Sequence, residues 1–110
     1  LFRSKAAKAE ANIARYQLAD AKEKVELQVS QASYKVNEAA KRLSMAEKNL
    51  EKADENLRYA KLGFMEGVIP TSNVLEAQTA WLSAQSDKID AQIDVKLTEV
   101  YLRKSMGVLK

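Results

Sequence analysis

From Val25 to Phe64 the apolar positions fall at Val25, Val29, Ala32, Val36, Ala39, Leu43, Ala46, Leu50, Ala53, Leu57, Ala60 and Phe64. After the first step the spacing alternates three and four without error, a heptad seam that predicts one long helix packed along a single stripe. The two kinds of seam position differ. One is always large (Val29, Val36, Leu43, Leu50, Leu57, Phe64), and the other is always alanine. Large knobs alternating with small ones let a second helix backbone come close, which favours a tight antiparallel pair. Alanine is also the best helix former, so local and tertiary preferences agree.

Upstream the rhythm changes. Ala11, Ala14, Leu18, Ala21 and Val25 continue a seam, but the step from Val25 to Val29 is a second consecutive four, a stutter that locally relaxes supercoiling. Phe2, Ala6, Ala9, Ile13 and Tyr16 lie on another side of the same helix. An N-terminal third that is apolar on more than one side predicts more than one neighbour.

The pattern stops once, at FMEGVIPTSNVLEAQ, Phe64 to Gln78. Gly67 and Pro70, the only proline, stand three residues apart there, with Gly63 just upstream. A helix ending on glycine and another starting near proline predict a long helix over about 1–66, a tip turn over 67–72 and a return helix over 73–107, closed by Gly107. Ser72 or Asn73 is a candidate N-cap, Asn73 with Glu76 approximates a capping box, and Pro70 is equally a candidate first helical residue. The return arm carries two apolar seams. One is Leu75, Thr79, Leu82, Ser86, Ile89, Ile93, Leu97 and Val100; the other is Val74, Ala77, Trp81, Ala84, Ala91, Val95 and Leu102, interrupted by Lys88 and Thr98. A third line, Gln78, Gln85 and Gln92, is polar and uncharged.

Folding the arms across the turn pairs Leu57 with the neighbourhood of Leu82, Leu43 with Ile93 and Val29 with Met106. That leaves about 28 residues of the long arm without a partner, an overhang of ~40 Å at the helical rise. A return helix with two seams and a long arm with an overhang both ask for neighbours that a lone hairpin does not supply. A two-helix coiled coil that dimerises is the plainer reading of the same periodicity. For the isolated segment, the overhang predicts self-association.

Composition narrows the chemistry. Of 110 residues 46% are apolar with only three glycines, as in long helices or coiled coils. The 18 Lys/Arg and 15 Asp/Glu leave a net charge of +3, and neither arm concentrates a basic stripe of the kind nucleic acid requires. No nucleic-acid partner is expected. With no His and no Cys, nucleophilic triads and the common zinc sites are excluded, so no enzyme, cofactor or metal is expected. Asp87, Asp90 and Asp94 share a helix face, but Lys88 and Lys96 close by make that a solvated face. No run approaches the ~18 apolar residues of a membrane helix. The chain opens on Leu1 rather than Met, which leads us to expect a piece of a longer protein.

The tip carries a resemblance. Phe64-x-x-Gly67, a short apolar link and Val74-Leu75-Glu76-Ala77-Gln78 resemble the hairpin tip of TolC-type outer-membrane efflux proteins. Gln31 to Phe64 is similar to that family's long helix, and the arm to Tyr101-Leu102-Arg103-Lys104-Ser105-Met106-Gly107 is similar to its return helix. The resemblance implies an all-α antiparallel hairpin that is a fragment of an α-barrel tunnel, in the second of two repeats. It implies a homotrimer whose β-strands, outside this segment, sit in the outer membrane while the helices run into the periplasm. There a periplasmic adaptor protein docks and links the channel indirectly to an inner-membrane pump. Carried onto this chain, Gly67, Val68 and Ile69 become the adaptor-docking tip, and Phe64, Asn73 and Glu76 the entrance or latch. The apolar Val68-Ile69 pair supports the docking role, since a solvent-facing hairpin turn is normally polar. Two departures stand out: Pro70 replaces a common Ser or Thr, and Asn73 replaces a common acidic residue, leaving Glu76 as the nearer carboxylate.

Two other readings remain. An adaptor's own α-hairpin would show Arg-x3-Leu-x6-Ser; here Arg58 and Leu62 are followed by Ile69. A structural coiled-coil spacer would need neither motif.

Overall fold

In the computed structural model, which describes residues 1–108, the chain forms two helices, α1 (Phe2–Met65, 64 residues) and α2 (Thr71–Val108, 38 residues). They lie against each other as a rod of 98 × 20 × 13 Å. The length is that of α1 itself, about 1.5 Å per residue. The fold is the long antiparallel hairpin that the heptad seam predicts, with no strand among the described residues.

The core is made of alanine. Ala32, Ala39, Ala46 and Ala60 of α1 and Ala77 and Ala84 of α2 are buried, and Ala39 is wholly covered. The large seam residues Val36, Leu43, Leu50 and Leu57 are only half-buried. Small side chains thus meet along the centre line while the larger ones flank it, and no large side chain among the described residues is fully enclosed. Of the two seams read on α2, it is the alanine-containing one (Val74, Ala77, Trp81, Ala84, Ala91, Val95, Leu102) that turns toward α1. The bulkier seam lies about half a turn away at 3.6 residues per turn, and Leu75, Leu82, Ile89, Ile93, Leu97 and Val100 are 45–63% exposed. Alanine against alanine explains the choice: leucines at the centre would hold the backbones apart.

Polar residues that interrupt the inner seam satisfy themselves locally. Thr98 Oγ1 donates to the Asp94 carbonyl (2.9 Å), and the buried Ser105 Oγ donates to the Tyr101 carbonyl (3.0 Å). Such back-bonding keeps a hydroxyl in a helix interface without an orphaned donor. Among the described residues three ties cross between helices: Trp81 Nε1–H donates to Asp54, Arg42 pairs with Asp94 at 2.5 Å, and Lys35 sits 5.9 Å from the Tyr101 ring centre. They mark the predicted register, in which Leu43 stands level with Ile93 and Val29 with Met106, although Ile93 and Met106 are about half exposed and not part of the alanine core. Arg42 and Asp94 remain roughly half-exposed, so that pair adds little stability and serves mainly to fix alignment.

Residues 1–24, which make up the start of α1, are exposed along their whole length, and half-burial begins at Val25. Phe2, Ile13, Tyr16 and Leu18 are all in this unpaired stretch. At its other end, α2 begins at Thr71, ahead of the predicted residue 73, and continues through Gly107 to Val108. A glycine inside a helix costs only about 0.5–1 kcal/mol relative to alanine, so Gly107 does not have to stop it.

The alanine interface predicts that Ala39→Leu lowers the thermal midpoint of the segment, followed by far-UV circular dichroism, by the equivalent of about 1–3 kcal/mol of overpacking. Met45→Leu, at a position 61% exposed, serves as control and leaves the midpoint unchanged.

Candidate functional site

The tip is built by a specific backbone stop. α1 ends at Met65 with Glu66 as C-cap, and Gly67 follows at φ +75°, the only positive φ among the described residues. The Gly67 N–H donates to the Phe64 carbonyl (3.0 Å) and the Val68 N–H to the Gly63 carbonyl (2.8 Å). This is the double bond pattern of a Schellman cap, which satisfies carbonyls the helix end would otherwise leave open. A Cβ at Gly67 would meet nothing within 4 Å, so glycine is required there for its backbone and not for space. Gly63 is the reverse case. Its φ is ordinary, yet an added Cβ would fall 2.6 Å from Ile69 Cγ1.

Ile69 therefore folds back over α1. Its N–H donates to the Gly63 carbonyl (3.0 Å) and its side chain is half-buried. Val68 points the other way and is 76% exposed. Pro70 comes next, outside the helix, and α2 opens at Thr71 with the Asn73 N–H donating to the Pro70 carbonyl (3.1 Å). Proline immediately before a helix loses no bond, because the first N–H groups have no intrahelical acceptor. Ser72, Asn73 and Glu76 consequently lie inside α2, and the capping box considered for Asn73 and Glu76 does not form.

The sequence profile of the Outer membrane efflux protein family matches residues 2–108. The chain belongs to that family. None of the curated proteins and none of the solved structures matches it. An outer membrane efflux protein is a transport protein and not an enzyme by family, and this chain is a component of an outer-membrane efflux channel. No helix among the described residues is long and apolar enough to cross a membrane, so the part of the channel seen here is not a membrane-spanning helix.

Within this efflux-protein hairpin, the structure divides the two sets of site residues. Of Gly67, Val68 and Ile69, Gly67 shapes the turn, Val68 is presented outward and Ile69 is packed inward. Of Phe64, Asn73 and Glu76, the last two line one groove between the helices with Asn56, Tyr59 and Ile69. Phe64, 48% exposed at the last turn of α1, does not line it. Met65, 81% exposed beside it, adds to the apolar surface of the tip. Among the described residues no three acidic side chains converge as metal ligands, and Asp94 of the acidic face is taken by Arg42.

Two contacts escaped sequence reasoning. The Trp81–Asp54 bond joins residues 27 apart with no motif to announce it. The Gly63–Ile69 contact did leave a signal: a glycine in a helix otherwise rich in alanine marks a close approach.

At Gly67 the cap predicts a split between substitutions. Gly67→Asn, a residue that tolerates the left-handed region, costs well under 1 kcal/mol, whereas Gly67→Val costs about 1–2 kcal/mol or more. Thermal unfolding of the two variants measures the difference.

Proposed function

We propose that this segment is a stave in the periplasmic tunnel of a trimeric outer-membrane efflux channel and that its tip docks the periplasmic adaptor of a tripartite pump. One observation carries the reading: α2 is apolar on two opposite sides. Its alanine side is covered by α1, while Leu75, Leu82, Ile89, Ile93, Leu97 and Val100 line the other, uncovered side. A solvent-facing helix back is normally polar. A helix with two apolar sides belongs between two neighbours, as it would in a closed ring of helices. The exposed start of α1, residues 2–24, supports the same arrangement, since its apolar positions have no partner among the described residues.

The tunnel then works as a passive conduit. Transport is powered by the inner-membrane pump and handed on through the adaptor. The adaptor meets the apolar tip, with Val68 the most direct contact and Gly67 holding the turn. Asn73 and Glu76, in the groove just behind it, are placed to line or latch the entrance, with Phe64 at its edge. The family match over nearly the whole chain weighs against the adaptor hairpin and the plain spacer.

The test uses the full-length channel. Leu82→Glu with Ile93→Glu is expected to abolish trimer assembly, measured by native mass or sedimentation, while α1–α2 pairing survives because both side chains are more than half exposed and lie outside the alanine core. Val68→Asp is expected to leave the trimer intact, abolish adaptor capture and reduce efflux. Normal assembly in the first variant contradicts the stave, and normal capture and efflux in the second contradict the docking tip.

A further inference from the structure

Gly63 lies two residues before the end of α1, and its carbonyl accepts from two tip amides, Val68 N–H at 2.8 Å and Ile69 N–H at 3.0 Å. The volume where its side chain would stand is filled by Ile69. An added Cβ would lie 2.6 Å from Ile69 Cγ1 and 3.1 Å from Ile69 Cβ, closer than packed carbons tolerate. A single glycine thus holds both the backbone and the side chain of the residue that follows Val68. In a Schellman cap the usual apolar contact joins the residue after the left-handed glycine to the helix three back from its cap. Here the helix position is Gly63, the residue after Gly67 is Val68, and the contact has moved on by one to Ile69. That displacement leaves Val68 free, 76% exposed, with Ile69 half-buried beneath it.

We propose that Gly63 and Ile69 form a socket and plug that fixes the tip so that Val68 is presented to the partner, making Ile69 a positioning residue and not a docking contact. The inference rests on the docking reading above. Its physical logic is preorganisation: a tip already locked in one conformation loses less entropy when a partner binds it. The socket is specific to glycine at position 63, because even a methyl group there meets the plug. Ile69 is also the last residue before Pro70, so once the plug is seated the chain enters α2 along a fixed path.

The test compares Gly63→Ala, Gly63→Ala with Ile69→Ala, and Val68→Asp in the full-length channel. Each is read by hydrogen exchange of the tip amides and by capture of the adaptor. Alanine favours a helix over glycine, so a residue needed only for helix stability would show unchanged or stronger protection in Gly63→Ala. The socket requires the opposite: about five- to tenfold faster exchange at Val68 and Ile69, as for loss of a net hydrogen bond, and several-fold weaker capture. Shortening the plug in the double variant removes the contacts to Cγ1 and Cδ1 and recovers both readouts in part. Unchanged exchange in Gly63→Ala overturns the socket. Faster exchange with undiminished capture overturns the positioning role, and if Val68→Asp is then also captured normally, it is the docking reading that has failed.

Discussion

The hairpin depends on two helix backbones coming close enough for alanine to fill the space between them. Ala32, Ala39, Ala46 and Ala60 of α1 and Ala77 and Ala84 of α2 lie along that line, and among the described residues nothing larger than alanine is buried there apart from Ser105, whose hydroxyl is bonded to its own helix. Close approach has a consequence for everything bulkier. Val36, Leu43, Leu50 and Leu57 move to the flanks, where each stays partly open. Leu75, Leu82, Ile89, Ile93 and Leu97 of α2 lie outside that line and are exposed. An alanine interface removes little apolar area from water per residue. The hairpin therefore holds a well-defined shape while leaving most of its hydrophobic surface for other contacts, which suits one element of a larger closed wall.

The same closeness constrains the tip. Two backbones this near must be joined by a short, sharply defined link, and four residues do it by different means. Gly67 supplies the left-handed turn and Gly63 the room for Ile69. Ile69 closes the end of the interhelical groove, and Pro70 aims the chain into α2. Ile69 packs inward against Gly63, while Val68 and Met65 are left as the outward apolar surface.

Much of this was legible in the sequence because periodicity reports directly on helix faces. The strict three-four spacing from Val29 to Phe64 gave the long helix, and pairing across Gly67 and Pro70 gave the register that Arg42–Asp94 and Lys35–Tyr101 now display. Two equal apolar seams on α2 could not be ranked by periodicity, since both satisfy the same helical repeat; the size match of Ala77 and Ala84 with the α1 alanines decides between them. The helix start slipped from residue 73 to Thr71 because Asn73 and Glu76 looked like caps, whereas the preceding proline already sets the entry. Of the site residues, Val68 and Ile69 read alike as apolar tip residues. Only the volume missing at Gly63 separates the one that packs from the one that protrudes.

The central claim is that the far side of α2 is an interface in the assembled channel. The segment contains no cysteine, so in a channel whose cysteines elsewhere, if any, are replaced, single thiols introduced at Leu82, Ile93 and, as an open control, Lys48 report their surroundings without interference. Maleimide labelling should modify all three in the isolated segment under dissociating dilution. In the assembled channel the thiols at 82 and 93 should react at least about tenfold more slowly while the one at 48 stays reactive, the protection expected for side chains packed against a neighbouring helix. Equal reactivity at 82 and 93 in both forms would leave that face in solvent and contradict the account.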